Sequence, residues 1–332
     1  MNKMTKLITL IFALTALALS LAQTDTMTPS VIYTTSNPGE LENDAIVGVS
    51  PDLTDMVLSF DGFAEGVTSV QSVAFAADGG AYLTVDTADG GSLVAVPDLG
   101  NISESMTLPD TMMMAAGLSA PKGLQVVDDL GLVLVADFGA NAIAVFDREL
   151  NQMGTVTDLG GDRSVWDVHH DVASNTLYAA GTDGVLLIYE DFASVMGADG
   201  PSRTVTPADA DGNKISVNLH GVSYHAASDD LILTDVGDAG SAEDGQLFVI
   251  SAASAAEGNT AVSVQIGGPA SMLGNPVDVI FDGTNAYVAE KSNNAVLRFD
   301  NVLASDMMGD AAPTVMFELL KAESVALPAS AR

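Results

Sequence analysis

The chain has 332 residues, 48% of them hydrophobic, which is enough for one large domain or two ordinary ones and excludes a disordered chain. Asp and Glu number 44 against 11 Lys and Arg, a formal net charge of −33, so no basic face can grip a phosphate backbone and nucleic-acid binding is excluded. The absence of Cys removes disulfides, thiolate nucleophiles, zinc–cysteine sites, iron–sulfur clusters and lipoprotein anchoring.

The first element is a targeting segment. Lys3 and Lys6 form a positive start, Leu7 to Leu21 an apolar stretch of 15 residues, and Ser20-Leu21-Ala22 the small-x-small pattern cut by signal peptidase. Residues 1–22 therefore read as a cleaved signal peptide and residues 23–332 as a single mature domain, secreted or periplasmic. No other segment approaches the roughly 20 apolar residues of a membrane span, so no membrane insertion is expected after cleavage. Cleavage takes the formal charge from −33 to −35, because only Lys3 and Lys6 are removed.

Next come repeats. Ala120 to Asp147 reads as three strands separated by turns, and the same pattern recurs over Val70 to Pro97, Val165 to Asp191, Leu219 to Ile250 and Pro276 to Asp300. The apolar residue of each first strand falls at Val73, Leu124, Val168, Val222 and Val279, at intervals of 51, 44, 54 and 57, which is the length of a propeller blade. Val31 to Thr35 and Ala45 to Val49 supply the second and third strands of one more copy. Its missing first strand is Glu323 to Leu327, whose Val325 lies 46 residues beyond Val279. The expected fold is all-β, a six-bladed β-propeller closed by a C-terminal strand that completes the N-terminal blade. Eight Asp-Gly dipeptides fit tight turns of positive φ, so much of the excess of Asp (33 against 11 Glu) is turn chemistry. Helical periodicity is confined to the signal and a turn over Phe317 to Ala322.

Pro121-Lys-Gly-Leu-Gln-Val-Val, Leu134-Val-Ala-Asp137 and Asn141-Ala-Ile-Ala-Val-Phe-Asp147 together resemble an NHL repeat: an inner strand opening with Pro-x-Gly, a strand ending in Asp, and an outer strand ending in Phe-Asp. Pro276, Ala286-Tyr-Val-Ala-Glu290 and Asn294-Ala-Val-Leu-Arg-Phe-Asp300 follow the same pattern. The resemblance implies a propeller shared by scaffolds, lyases and lactonases, and leaves function to the site.

In such a ring the inner strands start at one mouth of the central channel. Their first two positions read Glu323-Ser324, Gln71-Ser72, Lys122-Gly123, Trp166-Asp167, His220-Gly221 and Val277-Asp278. The long rim loops lie on that face, with Glu40, Glu42 and Asp44 in one, Asp209 and Asp211 in a second, and Asp238, Glu243 and Asp244 in a third. Lys122, Trp166, Asp167, His220, Asp278 and Glu323 are the candidate ligand-binding residues. Asp167, His220, Asp278 and Glu323, with Asp209 and Asp211, are the candidate ligands of a divalent cation, calcium before others. Against this stands solvated channel lining. Asp209-Ala-Asp-Gly-Asn213 resembles the opening of a calcium loop, but the twelfth position is His220 rather than Glu, which rejects an EF-hand. The acids that end the second strands, Asp86, Asp137, Asp235 and Glu290, read as bonded to their own turns. His169, His170 and His225 belong to the far face, and Met106 with Met112 to Met114 to the outer strand of the second blade, as packing rather than a soft-metal site.

Two functions follow from this reading. The first is an exported propeller, expected to be monomeric, that binds a small molecule, a cation or an envelope or extracellular protein at the acidic mouth. The second is a metal-dependent hydrolase similar to the gluconolactonase group, in which resemblance would give Glu323 and Asp278 the metal-binding roles, although no Asn stands at an inner-strand start. A lyase similar to the streptogramin-inactivating propellers rests only on His220-Gly221 with Glu323. Export is testable by intact mass: the secreted chain is expected to begin at Gln23, and a product retaining Met1 to Ala22 would overturn the address.

Overall fold

The computed structural model describes residues 31–37, 45–61, 66–108, 112–196, 200–304 and 308–328. The expected signal peptide and the rim acids Glu40, Glu42 and Asp44 lie outside the described residues. Six sheets of at least four strands follow one another in a ring, each running outward from an inner strand, and the fold is a six-bladed β-propeller. The inner strands are Ala322–Ala326, Val67–Phe75, Pro121–Val127, Val165–Asp171, Leu219–His225 and Pro276–Phe281, for blades 1 to 6.

Closure joins the two ends of the chain. Ile32–Ser36 pairs antiparallel with Ala322–Ala326, with Tyr33 opposite Ala326 and Thr34 opposite Val325. The hydroxyls of Thr35 and Ser324 add a 2.9 Å hydrogen bond across this seam, and Thr35 Oγ1 donates to the Gln71 carbonyl of blade 2. Blade 1 thus has its inner strand from one end of the chain and its next three strands from the opposite end.

Apolar residues form six buried clusters, one at each junction between neighbouring blades. Ile32, Val47 and Val49 of blade 1 meet Val277, Tyr287 and Val296 of blade 6 in one of them. Leu134, Ile143 and Val145 of blade 3 meet Val168, Leu177 and Leu187 of blade 4 in another. A strand sandwiched between blades is covered on both faces, so Leu132–Asp137 and Thr176–Gly181 are buried at every position and read as apolar runs instead of alternating. Each buried Val, Leu or Ile contributes about 1.5–3 kcal/mol.

Six of the seven Asp-Gly glycines among the described residues take a positive φ, Gly245 being the exception. Gly79, Gly90, Gly184, Gly200, Gly212 and Gly283, each the second residue of such a pair, have φ between 74° and 127°. Two features differ from expectation. Val315–Glu318 is the outer strand of blade 6, pairing Phe317 with Val296, because a sheet edge was waiting there for a partner; no helical turn forms. Met106 is not in blade 2 with Met113 and Met114: Met106–Thr107 adds in parallel to the edge of blade 1, opposite Phe60 and Asp61. Gly258–Ala261, from blade 5, caps the edge of blade 4 in the same way. Among the described residues no helix is long and apolar enough to cross a membrane.

Ending the chain after Lys321 removes only the closing strand. It opens two blade junctions at once, so calorimetry should show the whole domain melting more than about 10 °C lower. Melting like the full chain would contradict closure.

Candidate functional site

The second-strand acids prepare the mouth. Asp137 accepts hydrogen bonds from the backbone N–H groups of Ser119 and Ala120, just ahead of the inner strand of blade 3. Asp235 accepts from Val217, Asn218 and Gly237. Glu290 accepts from Gly274, Asn275, Ser292 and Asn293. These carboxylates hold the chain as it turns into each inner strand, as expected for turn-bonded acids, and burial pushes Asp235 and Glu290 above the usual carboxylate range. Asp86 differs, accepting from the side chains of Ser69 and Gln71.

The first inner-strand positions close the channel with a plug of touching side chains. Gln71 Oε1 accepts from Lys122 Nζ at 2.7 Å, and that ammonium lies 5.1 Å from the centre of the Trp166 ring. Trp166 stacks on His220 with centroids 3.8 Å apart and planes 11° apart, while Phe138 meets its edge at 5.3 Å. Across the ring Lys291 Nζ is paired with Glu323 Oε2, whose side chain is almost fully buried. Burial pushes His220 well below its usual value, and Lys291 and Lys122 add to the effect, so the imidazole is neutral at neutral pH. Burial also lowers the Lys122 ammonium, against the pull of Glu323 and Asp86.

Beneath the plug lies a second layer made by the next inner-strand positions. Asp167 Oδ2 accepts from Val222 N at 3.1 Å and Asp278 Oδ2 from Val325 N at 2.9 Å, so each carboxyl group of blades 4 and 6 is bonded to the inner strand of the following blade. Gly123 leaves room for this: a Cβ there would stand 2.0 Å from Asp167 Oδ1. The two aspartates line both a void of about 10 Å³ above, room for one water, and a cavity of about 80 Å³ below. Burial and the Asp278 carboxyl push Asp167 far up, and burial pushes Asp278 up to about 7, with Glu323 adding to it.

All six expected ligand-binding residues therefore belong to the channel, and their surroundings add two facts to the acidic mouth. Lys122 and Lys291 stand against Glu323, and the mouth is filled. Nor do Asp167, His220, Asp278 and Glu323 converge as expected of a metal centre: among the described residues no group of three or more His, Asp or Glu is arranged to hold a metal ion. His220 is committed to Trp166, and the aspartates to backbone N–H groups. Asp209 is bonded to Asp211 N, Asn213 N and Asn213 Nδ2, so Asp209 and Asp211 form a closed turn separate from the channel. On the far face His170 Nε2 meets Asn175, and His225 Nδ1 meets Ser228.

Above the plug a cleft of about 430 Å³ opens between blades 3 to 6, walled by Phe138, Trp166, Thr182, His220 and Lys291. Asn218 and Asn275 also line it. Their Oδ1 atoms and His220 Nδ1 are buried without a hydrogen-bond partner. Inspection of inner-strand starts missed these asparagines because each stands one residue earlier, before Leu219 and Pro276, where the clamps of Asp235 and Glu290 fix the backbone. The recurring Asn ahead of two successive inner strands was the available signal.

No family model and no curated protein sequence matches the chain. Solved structures do, at the level of fold. A nidogen/laminin complex aligns with TM-score 0.59 and 14% identity over 90% of this chain and 98% of that one. A putative 6-phosphogluconolactonase from Bacteroides fragilis gives 0.57 and 10% identity over 91% and 98%, and Kuenenia stuttgartiensis hydrazine synthase 0.55 and 16% over 92% and 91%. Identities this low show a shared propeller only.

The buried aspartates give a pH prediction. A carboxyl whose folded pKa is raised above the unfolded value of about 4 stabilises the fold fully below that value and loses its contribution as pH rises through about 7. Asp278→Asn carries no charge, so the melting temperature of wild type minus variant should fall by roughly 2–4 °C between pH 4.5 and 8. Parallel profiles would mean that Asp278 does not hold the extra proton.

Proposed function

We propose that the chain is an exported β-propeller binding protein that takes a small hydrogen-bonding ligand in the mouth cleft above the plugged channel. One observation carries this reading: Asn218, Asn275 and His220 line the same cleft, and each has a buried polar atom, Oδ1, Oδ1 and Nδ1, without a hydrogen-bond partner. Each such atom costs about 1–3 kcal/mol when left unpaired, so a ligand that supplies partners recovers more than its own contacts. The cleft combines these atoms with Phe138, the Trp166 edge and Val277, the mixture of apolar wall and few polar groups usual for small-molecule sites.

A divalent cation is not needed for this reading, because Lys122 and Lys291 already supply positive charge beside Glu323. Metal-dependent hydrolysis has less support for the same reason. The carboxylate that resemblance would make a metal ligand is paired with a lysine, and His220 Nδ1 contacts no nucleophile. The neighbours named as a laminin complex and as a putative lactonase are compatible with either reading, since they share only the fold.

The test is a thermal-shift screen of polyols, free amino acids and small carboxamides with the wild type and three variants. A ligand should raise the melting temperature saturably by mass action. Asn218→Ala and Asn275→Ala should each weaken it roughly tenfold, the equivalent of about 1.4 kcal/mol, whereas Asp211→Ala on the rim turn should not. Equal responses from all three variants would move the site away from this cleft.

A further inference from the structure

Methionine is ordinarily a core residue, because its flexible thioether fills irregular gaps between blades or helices. Here none of the ten methionines among the described residues belongs to the buried core, which is built from Val, Leu, Ile, Ala, Phe and Tyr. Seven of them, Met56, Met106, Met113, Met114, Met153, Met308 and Met316, are between 40% and 59% exposed.

Their placement is as selective as their exposure. Met56, Met113, Met114, Met153 and Met316 lie on the fourth strands, counted from the axis, of blades 1, 2, 3 and 6. Met106 lies on the strand added to the edge of blade 1, and Met308 borders the outer strand of blade 5 beside the Gly309 bridge. All seven are therefore on the circumference, away from the six blade junctions and from the channel. Strand propensity does not explain them, since β-branched and aromatic residues suit an outer strand better.

We propose that these seven thioethers form an oxidant-consuming belt, a set of modification sites that take oxygen from hydrogen peroxide while the propeller stays folded. In the reaction the sulfur lone pair attacks one peroxide oxygen, the O–O bond breaks and an S–O bond forms. Sulfur loses two electrons to give the sulfoxide, and the proton on the transferred oxygen passes to the departing hydroxide, which leaves as water. A sulfoxide inside a core disrupts packing, whereas a side chain half open to water on the circumference can turn its new oxygen to solvent. The chain has no Cys to compete for the oxidant, so the thioethers are its principal sulfur reductants.

The test is time-resolved peptide mapping of the full mature chain, folded at neutral pH, in excess hydrogen peroxide. The seven exposed methionines are expected to oxidise within about threefold of the rate of free methionine. Met112, Met196 and Met272, which are half-buried, should lag by roughly tenfold. The melting temperature should move by less than about 2 °C when the seven are fully converted. A variant with all seven replaced by Leu should fold and consume about seven fewer equivalents of peroxide per chain; if it does not fold, the wild-type mapping decides alone. Exposed sites that oxidise tenfold more slowly than free methionine, or melting that falls in step with oxygen uptake, would overturn the belt.

Discussion

Pairing between Ala322–Ala326 and Ile32–Ser36 joins blade 1 from the two ends of the chain, and the six inner strands surround an axis because that pairing exists. Each blade buries both faces against its neighbours, so the two junctions of blade 1 are complete only when the closing strand is in place. The apolar clusters are thus a closed series rather than independent cores. The circumference is the part of the molecule least involved in this constraint, and it is where the edge-capping strands and the exposed methionines are found.

Acidic residues, the most conspicuous property of the composition, serve several local purposes. Asp137, Asp235 and Glu290 hold backbone N–H groups ahead of the inner strands. Asp167 and Asp278 reach across to the following blade, and Asp209 closes its own turn. Backbone donors accept this charge at fixed geometry, which explains why a large carboxylate excess coexists with so few lysines and arginines. Basic side chains take the remainder: Lys122 and Lys291 accompany Glu323 at the mouth, and Arg148 pairs with Asp78 and Asp128 away from it.

The mouth has two levels. Flat contact between Trp166 and His220, extended by Lys122 and Gln71, closes the axis, and Asp167 and Asp278, pushed up by burial, sit below it. What stays open is the cleft above, lined by Asn218 and Asn275, whose buried amide oxygens have no hydrogen-bond partner. The clamps that position the backbone also position these side chains, so structural acids and candidate binding groups are successive parts of one arrangement.

Blade number, strand order within a blade and the closing C-terminal strand were legible in the sequence, because apolar strands near a period of 50 and Asp-Gly turns are local patterns fixed by chain geometry. The ring of Glu323, Gln71, Lys122, Trp166, His220 and Val277 was legible for the same reason, since repeat position implies place around the axis. Whether those residues stay open or fill the mouth was not. That depended on Lys291, which follows a second strand and pairs with a glutamate from the C-terminal end, and on the stacking of two rings from different blades. Phe317 became strand instead of helical turn because an edge of blade 6 was available to it. The sequence by itself determined which residues share an inner strand and how many blades close the ring; only the tertiary structure decided which side chains meet across the axis, because contact and charge compensation depend on distances between blades that no repeat length encodes.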